Sequence, residues 1–268
     1  MSRILRKIYD RLEQLIGRRL PPPYETAQEY TESLLHVFLH CAPEEIGTIL
    51  VVGGFVGDEV RRMLPRYPNA KFAIFEPSKK VIPITNQRFA DQGDRVTVVN
   101  AAVSDQSGQL LFHETDIPGT SSLLPLAAPA VRDYNLKSES VYEVTAVRLD
   151  EWILQWKHAP GSDHPIDLIW CDVQGAELQV LRGAQRLLSR TRALFVEISI
   201  RERMYEGNVL FRELIDFVKP YGFEPVLIGT DPKSLTGNAL LIKPAGQPSG
   251  SSSGGRAEGM ETEQIGSA

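Results

Sequence analysis

The chain changes rhythm at Thr48. Before it, apolar residues recur at helical spacing: Ile4, Leu5, Ile8, Leu12, Leu15 and Ile16 share one face of residues 2–20. Arg3, Arg6, Lys7, Arg11, Arg18 and Arg19 crowd the other face, and Pro21-Pro22-Pro23 ends the helix. A second helix is predicted over 25–41, with Leu34, Leu35, Phe38 and Leu39 inward. From Thr48 on, short runs that are apolar nearly throughout alternate with helical patterns. "TILVVG" (48–53), "KFAIFEP" (71–77), "VTVVNAA" (96–102), "DLIWCDV" (167–173) and "ALFVEISI" (193–200) read as strands covered on both faces. Helices are predicted over 57–64, 78–91, 175–189 and 208–219.

Strand–helix alternation predicts an α/β fold with a doubly wound, mostly parallel sheet. "FEPVLIG" (223–229) and "NALLIKP" (238–244) leave no room for a helix between them, so they complete a seven-stranded sheet as an antiparallel hairpin. After about Gly246 the sequence is rich in Gly and Ser and cannot offset its ordering entropy. The expected organisation is an N-terminal helical extension (1–45), one α/β domain (46–245) and a disordered tail (246–268).

Composition refines this. A net charge of −5 argues against a nucleic-acid partner. No apolar run approaches the ~20 residues that span a bilayer, and no secretory leader is visible, so a cytoplasmic setting is expected. Cys41 and Cys171 lie in apolar sequence and read as reduced thiols. The basic N-terminal helix can lie on an anionic membrane surface; packing against its own domain or a partner subunit, which includes a homo-oligomer, is the preferred reading. His36 and His40 share a helix face without a third ligand at a telling spacing, so no metal is expected.

Three places carry chemistry. Gly53, Gly54 and Gly57 follow the first strand, where backbone approaches a ligand or needs positive φ. Glu76, followed by Pro77, ends the second strand nineteen residues after Gly57, near the roughly twenty-residue interval for an acid that accepts both ribose hydroxyls. Asp172 closes a strongly apolar strand ahead of Gly175, with Glu197 near the end of the next, where open α/β sheets place reacting groups.

Taken in order, "VVGGFVG", "FEP", "NAAVSD", "VRLDEW", "CDVQGAELQVLRGA" and "FVEIS" resemble the FkbM-type methyltransferases over roughly residues 48–243. The resemblance implies a Rossmann-like class I fold, S-adenosyl-L-methionine as cofactor and methylation of a small-molecule acceptor at a hydroxyl of a sugar or secondary metabolite. It implies that Gly53, Gly54, Phe55 and Gly57 line the methionine part, that Glu76 and Pro77 hold the ribose, and that Asn100 and Ala101 lie near adenine. Asp172, with Glu197 second, would be the general base, and "GTSSL" (119–123) a substrate loop. The chain departs from the family in having Val51 for an acid, Phe55 for a small polar Asn and Gln174 for a second acid. Those departures leave open a catalytically degenerate binding module. An NAD-dependent oxidoreductase is the further alternative, against which the terminal hairpin and the absence of Gly at position 55 both count.

Overall fold

The computed structural model describes residues 27–162, 164–230 and 235–244. The basic helix expected over 2–20 and the tail from 246 lie outside them. Among the described residues, ten strands form two sheets. The larger contains β1 (Thr48–Val52), β2 (Lys71–Phe75), β3 (Val96–Val99), β7 (Ile166–Cys171), β8 (Thr191–Ser199), β9 (Glu224–Thr230) and β10 (Thr236–Ile242), in the order β3-β2-β1-β7-β8-β10-β9. β1 pairs in parallel with both β2 and β7, while β10 runs antiparallel to β8 and β9. The predicted doubly wound sheet with its antiparallel terminal hairpin is therefore present.

Continuous apolar strands follow from the two cores. Ile49, Val51, Phe72, Ile74, Leu168, Trp170 and Phe195 face one core, closed by the helices Ala27–Phe38 and Asp58–Met63. Their neighbours Leu50, Val52, Ala73, Phe75, Ile169, Cys171, Leu194 and Val196 face the other, closed by helices Glu177–Arg182, Gln185–Arg190 and Phe211–Val218. Because successive side chains alternate in direction, a strand covered on both faces is apolar at every position. Among the described residues, no helix is long and apolar enough to cross a membrane.

Two expectations change. The strand predicted over 96–102 ends at Val99; the chain turns at Asn100-Ala101, and Ala102–Val103 forms β4 in a second sheet. That sheet, β4-β6-β5, also holds β5 (Gly108–Thr115) and β6 (Ser138–Val147), whose half-exposed pattern lacks the apolar continuity of the main strands. The single helix predicted over 175–189 breaks between Arg182 and Gln185, where a Cβ on Gly183 would lie 2.0 Å from the Ser104 carbonyl oxygen. The "VRLDEW" motif explains the second half: buried Asp150 accepts from the Arg186 and Leu187 amides, each at 3.0 Å, capping the helix that starts at Gln185.

Candidate active site

The carboxyl ends of β1, β2 and β7 meet the second sheet around a cavity of about 300 Å³. At its floor the Gly53 and Gly54 amides both donate to the Phe75 carbonyl, at 3.0 and 3.2 Å. Gly53 has φ +78°, and a Cβ there would lie 1.8 Å from the Asp172 carbonyl oxygen. Only glycine fits. Gly53 lines the cavity; Gly54 and Gly57 lie beneath it, pressed against Ile74 and the Phe89 ring.

Phe55 also has positive φ, +44°, a conformation that costs an ordinary L-residue about 1–2 kcal/mol. Its carbonyl is held by Thr85 Oγ1 at 2.7 Å, and the residue lines the cavity. An Asn at this position, as in the family pattern, tolerates such backbone more readily.

Beneath the loop lies an acid that the sequence reading missed. A Cβ on Gly54 would be 3.2 Å from Val51 Cγ1 and 3.4 Å from Glu59 Oε1, so the Glu59 carboxyl and the side chain that replaces the family's acid both reach Gly54. Glu59 Oε1 is buried without a hydrogen-bond partner. Burial pushes this carboxyl up to about 8, with the Asp172 and Glu32 charges adding to the effect and Arg62 opposing it. The available signal was an acid two residues after Gly57, in the first turn of the following helix.

Glu76 stands at the tip of β2 with its side chain in the cavity wall. Its Oε1 accepts from the Ser78 amide at 2.7 Å, and burial raises the carboxyl to about 7. Pro77 and Ala101 line the same wall, whereas Asn100 is exposed and is not part of it.

Across the cavity, the Asp172 amide donates to the Val52 carbonyl at 3.0 Å, fixing the end of β7 against β1. Burial raises its carboxyl and that of Glu197. Gln174 Nε2 donates to Asp172 Oδ1 at 2.7 Å and to Glu197 Oε2 at 2.8 Å. Glu177 turns away to accept from the Val173 and Gly175 amides, each at 3.1 Å. Asp172, Val173 and Gln174 line the cavity; Glu197 does not.

The outer wall comes from residues 102–139. Phe112 and Glu114 of β5, then Gly119, Ser121, Ser122 and Leu123, reach the cavity. Ser122 Oγ donates to the Val173 carbonyl at 3.3 Å, so the "GTSSL" segment is tied to the Asp172 turn. Buried Glu114 accepts from Ser78 Oγ at 2.9 Å and the Tyr142 hydroxyl at 3.2 Å, and pairs with Lys80 at 3.2 Å.

The model of the Methyltransferase FkbM domain matches residues 52–225. The chain is similar to 2-O-methyltransferase NoeI of Sinorhizobium fredii, with 30% identity over 200 residues, covering 72% of this chain and 78% of that protein. It is also similar to Methyltransferase sdnD of Sordaria araneosa, with 29% identity over 154 residues, 50% of this chain and 59% of that one. Among solved structures it has a distant likeness to Aeropyrum pernix fibrillarin with natively bound S-adenosyl-L-methionine, at TM-score 0.46 and 13% identity, over 80% of this chain and 74% of that one. The chain belongs to the FkbM family of S-adenosylmethionine-dependent methyltransferases.

Proposed function

We propose that this cavity holds S-adenosyl-L-methionine and that the enzyme methylates a hydroxyl of a small molecule, with Asp172 as general base. The residues fit such a ligand. Gly53 presents bare backbone to the cavity while the Asp172 carbonyl takes the place of a Cβ, Glu76 offers a carboxyl to a diol, and Val52, Phe75 and Ala101 give an apolar wall for a base. Pro77 belongs to the ribose side, and Phe55 closes the methionine end. When bound, the cofactor supplies an electrophilic methyl group.

The chain's own residues do the rest. The walls hold acceptor and donor in one line, positioning that can contribute ~7–11 kcal/mol. The Asp172 carboxylate takes the proton of a hydroxyl laid against it. The hydroxyl class is supported by NoeI, a relative named as a 2-O-methyltransferase. The observation that carries the reading is one cavity with Glu76 on one wall and Asp172 on the other, over a glycine that admits no side chain.

Calorimetric titration with S-adenosylmethionine, S-adenosylhomocysteine and NAD tests it. Binding of the first two without NAD is expected. Binding of NAD alone would favour an oxidoreductase, and binding of none at millimolar concentration an inactive module.

A further inference from the structure

The turn that follows Glu76 is built onto the second sheet. Ser78 Oγ donates to Glu114 Oε1 at 2.9 Å and accepts from the Lys80 amide at 3.3 Å. The Tyr142 hydroxyl, on β6, donates to the same carboxyl oxygen at 3.2 Å and accepts from the Lys79 amide at 3.3 Å. Because each hydroxyl already accepts from an amide of the turn, its own proton goes to Glu114. The other oxygen, Oε2, takes Lys80 Nζ at 3.2 Å and Ser140 Oγ at 3.3 Å, and Lys80 also pairs with Glu139 at 2.9 Å.

Ser78 is the joint between the two sheets. Its amide donates to Glu76 Oε1 at 2.7 Å, its carbonyl accepts from the Val81 and Ile82 amides at 3.1 and 3.0 Å, and its hydroxyl ends on Glu114. A buried carboxylate is costly unless donors surround it. Burial works against charge on Glu114, yet the Ser78, Lys80 and Tyr142 donors outweigh it and hold the carboxyl below its ordinary range. A glutamine of the same size could not serve all four donors, since its amide nitrogen would face two of them.

Building on Glu76 as the acid that takes the ribose diol, we propose that Glu114 and Ser78 are positioning residues that set the Glu76 carboxyl for the two hydroxyls. The second sheet then governs how the cofactor's ribose is gripped. A charge-assisted pair of hydrogen bonds depends steeply on distance and angle, so a carboxyl left loose on its turn loses most of the pair. If Glu114 only fastened the sheets together, its loss would weaken every ligand of the cavity alike. A role through Glu76 is felt only by ligands that carry the diol.

The probes are S-adenosylhomocysteine and its 2′-deoxyribose analogue, titrated calorimetrically into the full chain and its single variants. Wild type should prefer S-adenosylhomocysteine by about tenfold or more, the effect of one charge-assisted hydrogen bond, and Glu76→Ala should remove that preference. Glu114→Gln and Ser78→Ala should each shrink it by about threefold or more, with affinity for the analogue nearly unchanged. Glu139→Gln, which removes the other acid on Lys80 and leaves Ser78 untouched, should keep it. Equal weakening of both ligands, or an unshifted preference, in either folded variant overturns the proposal. A matching shift in Glu139→Gln also overturns it, by assigning the effect to charge. Ser78→Ala decides alone if circular dichroism shows that Glu114→Gln does not fold. The methyltransferase site itself fails on different results: wild type binding neither ligand, or Glu76→Ala keeping the preference.

Discussion

Replacing Glu59 by glutamine removes an ionisable group from beneath the glycine loop while keeping its size. Its carboxyl titrates at about 8 in the folded protein against 4.5 as the ordinary value. The folded state thus retains a proton that the unfolded chain releases, so this group's stability contribution is intact below 4.5 and is lost as pH rises toward 8. At pH 7 the penalty is about 1.4 kcal/mol times (7 − 4.5), or about 3 kcal/mol. Above pH 8 it levels off at about 1.4 times (8 − 4.5), or about 5 kcal/mol. Glu59→Gln should therefore be near neutral at pH 5, and more stable at pH 7 by up to about 3 kcal/mol, ~6–12 °C in Tm for a chain of this size. Scanning calorimetry of both proteins at pH 5, 7 and 8.5 measures the difference. A Tm gain that is equal at all three, or a loss at each, would refute the assignment of a buried proton to Glu59.

Four further outcomes follow from the cavity walls. Glu76→Ala should weaken S-adenosylhomocysteine binding at least tenfold, since charge-assisted hydrogen bonds contribute ~1.5–3 kcal/mol each; calorimetry showing unchanged affinity removes Glu76 from the site. Asp172→Asn should abolish methyl transfer with cofactor affinity within a few-fold, and equal turnover would move the base elsewhere. Phe55→Asn should relieve ~1 kcal/mol of backbone strain and open the methionine end, tightening S-adenosylhomocysteine binding tenfold; an unchanged titration would show that the ring does not restrict it. Val51→Asp, which restores the family's acid, should lower Tm because it sets a second carboxyl beside Glu59, and should be tolerated far better in a Glu59→Gln background; equal loss in both backgrounds would separate the two positions.

The main sheet was legible because β1, β2, β7 and β8 are each covered on both faces, which leaves an unbroken apolar run in the sequence. Glu76 and Asp172 were legible as lone acids closing such runs. β5 and β6 were not: Leu111 and Val141 are exposed apolar residues on them, while the inward Glu114 is polar and buried, so the usual alternation is inverted in places. Tyr205 lies 31 residues from Gln174, and only the folded chain brings its hydroxyl to that amide. Glu59 is a first-turn helix acid by its position, and only the folded chain shows the burial that changes its chemistry.

The cavity's two halves come from different pieces of chain. The strand-end half belongs to the large sheet, while the wall opposite rests on a separate small core of Ala102, Phe112, Val144 and Ala146. Small-core positions such as Phe112 can therefore vary apart from the strand tips that carry Glu76 and Asp172, whereas Val103 roots the segment in the large-sheet core and Ala130 and Leu136 pack it against Met204 and Tyr205. For protein engineers the small-core wall is the part to vary, with Val103, Thr120, Ser122, Ala130 and Leu136 as the anchors to preserve.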